Sequence, residues 1–433
     1  MRRLCRALTV VAVLLTLGAQ GALARDWFVC QETGKGKSGT KDKPAKDLGN
    51  IATKLEDGDR VFIAEGVYLG RGESGATTLT APVTIIGGYD AGFSTRDPWG
   101  AHKTIFSGVN ESKNWDGASR LTIDLTKRRD LKEHTIVVDG IIFDNAERNH
   151  YATDREAKIV RTAAPQLGKN PTPETGGLRV MAWKQGNITV RNCIVLNTAP
   201  SGGAFSIWGH QGSKVEVQNN LAVNNTGEGF YLHTSFHGEP APEFTFRHNT
   251  ALLSEKHDPI ATYGGNGLML DAGTKIIATN NVFGLGDFHG VNNAKRSKDM
   301  VLNENLFMGN MAADYLEFDT RIALEDLEDE AELLDEAEGN VTKLIKLPVS
   351  QQWATLYNAR NVIDRAAAEA QVQPKTDALN AIRAMLGLNV EGTDLKVDSD
   401  VWLPRMSIED AIKLTGIFGA HGTRRLVPPK QEE

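Results

Sequence analysis

The chain has three cysteines in 433 residues, far too few for the disulfide framework that holds small secreted folds together. Cohesion must come from a buried core. Cys5 sits among the first residues, while Cys30 and Cys193 are expected as two separate buried thiols rather than a bridge. Basic charge is also scarce: 48 Lys and Arg face 55 Asp and Glu, a net charge of -7. Nucleic-acid binding needs a clustered basic face, so that class of partner is not expected. Beyond the N-terminus no apolar run approaches the roughly 20 residues that cross a bilayer, so no membrane span is expected. A GxSxG elbow, an HExxH pair and a phosphate-binding loop are missing too, which removes the commonest motif-borne hydrolases and nucleotide enzymes.

What the chain does have begins with a basic start, Met-Arg-Arg-Leu-Cys-Arg, an apolar run from Ala7 to Leu17, and Ala22-Leu23-Ala24. Positive flank, short apolar stretch and small-x-small site make residues 1–24 a signal peptide, with the mature chain extracytoplasmic, either periplasmic or secreted. Trp27-Phe28-Val29 before Cys30 lacks the small residues of a lipid-attachment site.

One phrase then recurs: TIVVDGIIFDN (135–145), ITVRNCIVLN (188–197), VEVQNNLAVNN (215–225), FTFRHNTALLS (244–254), IIATNNVFGLG (276–286) and MVLNENLFMGN (300–310). Asn192, Asn219, His248, Asn280 and Glu304 mark equivalent positions at intervals of 27, 29, 32 and 24 residues. Within each phrase apolar residues alternate with polar ones at period two, as in Val215/Val217 and Phe244/Phe246. The repeat unit is therefore a coil of short strands, and coils about 4.8 Å apart can share hydrogen bonds and bury one continuous core. The turn asparagines tolerate left-handed backbone and can bond their neighbours above and below, a structural ladder that also takes in His248.

GDRVFIAEGVY (58–68) followed by IIGGYDAGF (85–93) resembles the opening of secreted right-handed parallel β-helix proteins of the pectate-lyase-like superfamily. The resemblance covers residues 26–310 and specifies the fold far more than the activity. The expected architecture is all-β: a right-handed single-stranded parallel β-helix over residues 25–315. The apolar spacing of residues 44–55 predicts a capping helix over its open first edge. Residues 147–175, polar and proline-containing, read as a long side loop, of the kind that is often functional. Residues 316–433 read as a mainly helical tail packing on or capping the coil. Its acidic run ALEDLEDEAELLDEAEG lacks EF-hand spacing and reads as a solvated face.

Glycine turns followed by strands recur at 176–183, 203–208, 229–233 and 267–271 and stack into one sheet. With Leu178, Val180, Phe230, Leu232, Leu268 and Leu270 inward, Arg179, Met181, Trp183, Tyr231, His233, Met269 and Asp271 face outward. Residues 203–208 fit this alignment poorly, because it would expose Phe205 and Ile207 and bury Ser206. An outer strip of aromatics with an Arg, a His and an Asp suits a sugar chain: flat faces for rings, polar groups for hydroxyls and carboxylates. The candidate catalytic residues are His233, Asp271, Lys295 and Arg296, and the candidate substrate-binding residues are Arg179, Trp183, Tyr231 and His237. His233 and His237 have HxxxH spacing, but on a strand and turn such a pair does not share a face, so no metal is assigned from it.

Lyases of the resembled superfamily abstract the proton alpha to a uronate carboxylate with Arg, Lys or His, and calcium or a basic residue neutralises that carboxylate. Lys295 and Arg296 in HGVNNAKR are the basic residues this implies, with calcium the alternative. The chain departs from the catalytic patterns of the superfamily: it has neither the calcium aspartates of a pectate lyase, nor the paired aspartates of a polygalacturonase, nor an epimerase DPHD signature, of which His257-Asp258-Pro259 is only a fragment. The expectation is an exported protein that binds, and modifies by elimination or epimerisation, a polysaccharide along the outer face of its coils. The competing expectation is a non-catalytic scaffold of the cell envelope that docks a protein partner.

Overall fold

The computed structural model describes residues 24–71, 75–107, 119–145, 150–153, 159–162, 176–198, 203–255, 264–271, 273–348 and 406–417. Residues 1–23, most of residues 147–175 and most of the tail lie outside the described residues, so the expected signal peptide (1–24) falls almost entirely there.

The chain is a parallel β-helix. Each coil gives one strand to each of three long sheets: Gln185–Arg191 to the first, Ile194–Leu196 to the second, Gly203–Gly209 to the third, then Lys214–Gln218 to the first again. Each of these strands pairs in parallel with its equivalent one coil away. The alternating apolar residues predicted to face inward do so in unbroken rows, such as Val61, Ile85, Val138, Val190, Val217, Phe246, Ala278 and Leu302 in the first sheet. All of these are fully buried, each large one contributing about 1.5–3 kcal/mol of burial.

The corner between the first and second sheets divides two tasks that the repeat assigned to one residue. Asn192, Asn219, His248, Asn280 and Glu304 adopt left-handed backbone, with φ between 55° and 58°. The buried ladder is made one residue later. Asn220, Asn249, Asn281, Asn305 and Asn340 each accept, through Oδ1, the backbone N–H one coil back, at 2.9–3.1 Å. Their amide groups donate to the carbonyls of Val190, Val217, Phe246, Ala278 and Leu302. Every polar atom of these side chains is thus satisfied, away from water in all but the half-buried Asn340. Cys193 stands at the same position, its thiol pushed up to about 12 by burial. It and Cys30 are separate and buried.

The N-terminal cap is present in a tighter form than the spacing predicts: two consecutive 3-10 turns, Leu48–Asn50 and Ala52–Lys54. Asp47 caps the first by accepting from the Gly49 N–H at 2.8 Å, and Leu48, Ile51 and Leu55 plug the core. At the far end the coil runs past residue 315. Leu334–Glu336 and Val341–Thr342 extend the first and second sheets, and Thr320–Ile322 turns back antiparallel on Ala313–Glu317. The acidic run therefore forms part of a closing coil with a single α turn, Leu327–Glu330, because Leu327 is drawn into the core and Asn340 completes the ladder. The one long helix among the described residues, Ile408–Ile417, lies on the outside of the second sheet. No helix among the described residues is long and apolar enough to cross a membrane.

Candidate functional site

The outer faces of the second and third sheets differ in chemistry. In the second sheet both faces are apolar, as in sheets covered on both sides. Val195, Ala222, Ala251, Phe283 and Phe307 point into the coil. Ile194, Leu196, Leu221, Val223, Leu252, Val282, Leu306 and Met308 point out and are sealed by Met406, Ile408, Ala411 and Leu414. Asn197 fastens this cover: its Nδ2 donates to the Met406 carbonyl at 3.0 Å, and its Oδ1 accepts the Met406 N–H at 2.9 Å.

The third sheet carries the outward strip. Strand pairing sets Arg179, Ser206, Tyr231, Met269 and Asn292 in one row, and Met181, Trp208 and His233 in the next. The misfit of residues 203–208 is a register error of one residue. Leu178 pairs with Phe205, not Ala204, so Phe205 and Ile207 face the core, and Ser206 and Trp208 join the outer strip.

On that strip four of the expected residues come together. Lys295 Nζ donates to the Tyr231 hydroxyl at 2.9 Å and pairs with Asp271 Oδ1 at 3.3 Å. Asp271 Oδ2 lies 3.9 Å from His233 Nδ1. The Tyr231 and His233 rings stack, 4.1 Å between centroids and 5° apart in tilt, and Trp208 meets the imidazole edge-on at 4.0 Å. Ser206 Oγ lies 3.4 Å from His233 Nε2 and accepts from Trp208 Nε1 at 3.3 Å. Arg179 sits 5.3 Å from the Trp208 ring, and its Nε is buried with no hydrogen-bond partner among the described residues.

These contacts set the charge states. Burial, with Arg179 and Lys295 adding positive charge nearby, pushes His233 down to about 2, so its imidazole is neutral across the physiological range. Burial also raises Tyr231, against the pull of Lys295, and keeps it a phenol. For Lys295 burial acts downward, but the Tyr231 hydroxyl and Asp271 outweigh it and hold the ammonium charged. Just behind the strip, burial lifts the Glu228 carboxyl to about 7 while Asn266 donates to it through both nitrogens, at 3.1 and 2.8 Å.

The other candidates lie elsewhere. Trp183 packs under Arg129 at 3.7 Å and against His210 at 4.7 Å, in a separate aromatic group. His237 is on an exposed turn past the strand. Arg296 has left-handed backbone and stacks on Phe318, which separates it from Lys295. A calcium ion takes six to eight oxygen ligands, and among the described residues the strip presents one carboxylate, Asp271, already paired with Lys295. The described donor set does not fit calcium. Among the described residues no three His, Cys, Asp or Glu side chains gather into a metal site.

No family model matches the chain. No curated protein matches it either. Among solved structures, the pectate lyase Pel9A is 13% identical, over 74% of this chain and 80% of its own, with a TM-score of 0.36. A lacto-N-biosidase from Eubacterium ramulus is 12% identical over 74% and 55%, TM-score 0.33. XylC in complex with xylose is 11% identical over 67% and 69%, TM-score 0.24. At these values the likenesses assign neither substrate nor reaction, and the fold rests on the strand pairing described above.

Proposed function

We propose that this chain is an exported protein that binds an acidic polysaccharide along the outer strip of its third sheet. There it abstracts the proton alpha to a uronate carboxylate, the step that elimination and epimerisation share. The observation that carries this reading is a neutral imidazole and a phenol set between two cations. Arg179 and Lys295 lie two coils to either side of Tyr231, and both act on His233. His233 is depressed first by burial and then by these two charges, and a uronate carboxylate placed between them offsets the second part, so the base strengthens when substrate arrives. Tyr231, held protonated, is the acid for a departing glycosidic oxygen, and the Trp208 and Tyr231 rings offer faces to the sugar.

The test is incubation of the mature protein with a panel of uronate-containing polysaccharides, with and without calcium, following the ultraviolet absorbance of unsaturated products. Absorbance that grows without calcium and is abolished in His233→Ala supports elimination at this site. A change in uronate stereochemistry without absorbance supports epimerisation. Absence of both, with no binding to any polymer of the panel, overturns the reading in favour of an envelope scaffold.

A further inference from the structure

Ser206 has no part in proton abstraction, yet its hydroxyl is aimed at the same imidazole. The two nitrogens of His233 have complementary partners: a carboxylate oxygen 3.9 Å from Nδ1 and a serine hydroxyl 3.4 Å from Nε2. An imidazole that keeps its one proton on Nδ1, toward Asp271, leaves the Nε2 lone pair for the serine proton. Nucleophile, base and orienting carboxylate come from three successive coils of one sheet, on Gly203–Gly209, Glu228–Thr234 and just after Leu268–Leu270. The separations are looser than those of a reacting complex, as is usual for such groups before a substrate tightens them. Arg179 is the register partner of Ser206 on the preceding coil, and its buried Nε is a donor that lacks an acceptor among the described residues.

We infer that Ser206, His233 and Asp271 form a nucleophilic relay that hydrolyses carboxylic esters, and that its substrate is an O-acyl group on the sugar chain held along this strip. The choice of an acylated sugar rests on the carbohydrate reading above; the relay itself does not. In the reaction Ser206 Oγ attacks the acyl carbon while its proton passes to His233 Nε2, and the carbonyl oxygen takes up negative charge facing Arg179. The bond from the acyl carbon to the sugar oxygen breaks, and Nε2 returns the proton to that oxygen, which leaves as an alcohol. Water then attacks the acyl-serine, losing its proton to Nε2. The acid departs and Oγ recovers the proton. His233, neutral throughout the working range, begins each cycle in the form the relay needs.

The experiment treats the mature protein with a fluorophosphonate and maps the adduct by peptide mass spectrometry. In parallel, acetate release is measured from p-nitrophenyl acetate and from an O-acetylated polyuronate. The expected result is a single adduct on Ser206, with release lowered at least about a thousandfold in Ser206→Ala and in His233→Ala. Asp271→Asn is expected to lower it less and to shift its pH profile. Circular dichroism establishes that each variant is folded. No adduct on Ser206, or Ser206→Ala turning over as fast as the parent, overturns the relay. Turnover of the small ester but not of the polymer overturns the acyl-sugar assignment alone. Unsaturated products are read separately on a de-acetylated polymer, so failure of the elimination reading and failure of this one are distinguishable.

Discussion

Two outer faces of the same coil stand side by side, built from equally regular strands and put to opposite use. On the second sheet the outward row from Ile194 to Met308 is apolar apart from the buried Thr250, which pairs in register with Leu221 and Val282, and the Ile408–Ile417 helix covers it. On the third, the outward row mixes Arg, Ser, Tyr, Trp, His and Asp, and these contact each other. A buried ionisable group needs partners, whereas an apolar row needs only a cover. The first face therefore contributes cohesion, and the second carries groups whose charge states are set by their neighbours.

The comparison breaks most sharply at Leu252, fully buried beneath the cover. Leu252→Ala is expected to cost about 2–5 kcal/mol in denaturant unfolding, and a loss near zero would mean that the face is not sealed. Next is Asn197→Ala, which strips the Met406 backbone of both partners and should cost about 1–3 kcal/mol. Hydrogen exchange over Ile408–Ile417 would show the helix loosening ahead of the coil. On the open face, Lys295→Ala should leave stability within about 0.5 kcal/mol but weaken polyuronate binding roughly tenfold, near 1.4 kcal/mol. Unchanged affinity in a salt-controlled titration would remove Lys295 from the binding strip.

The open face also makes stability depend on pH. His233 refuses a proton down to about 2, against 6.5 when unexposed to the fold. Between those values the unfolded chain binds the extra proton, so the stability from this site is complete above 6.5 and is lost as pH falls. His134, at about 4 through burial, has the same sign. Glu228, near 7 against 4.5, has the opposite one: its contribution fades as pH rises through that window. His233→Gln should flatten the acid limb of stability measured by urea unfolding, and an unaltered slope would refute neutral burial of the imidazole.

Period-two patterning and the recurring asparagines made the coil legible, because each inward residue repeats in every turn of the chain. Meeting of His233, Asp271 and Tyr231 was legible for the same reason: His233 and Asp271 occupy equivalent positions on adjacent coils, and Tyr231 stands two residues before His233 on the same face. Ser206 and Trp208 were missed because the glycines were aligned instead of the apolar residues, and in a strand one residue of slip exchanges the faces. The signal that would have found them was Phe205 and Ile207, whose bulk demands the core. Division of the corner between a left-handed residue and a buried asparagine was hidden because both positions favour the same residue type. Arg296 was grouped with Lys295 by adjacency, but successive residues at a turn diverge.

The clasp between Asn197 and Met406 joins points 209 residues apart, whereas each coil closes on the one before it within about thirty. Synthesis delivers the chain in order. A growing rod can thus add coil after coil while part of its second sheet still shows bare hydrocarbon to its surroundings, until the stretch from Met406 to Leu414 arrives to complete the cover. Chains cut short before that stretch would keep a nearly finished rod with an adhesive flank, prone to join side by side with others like it.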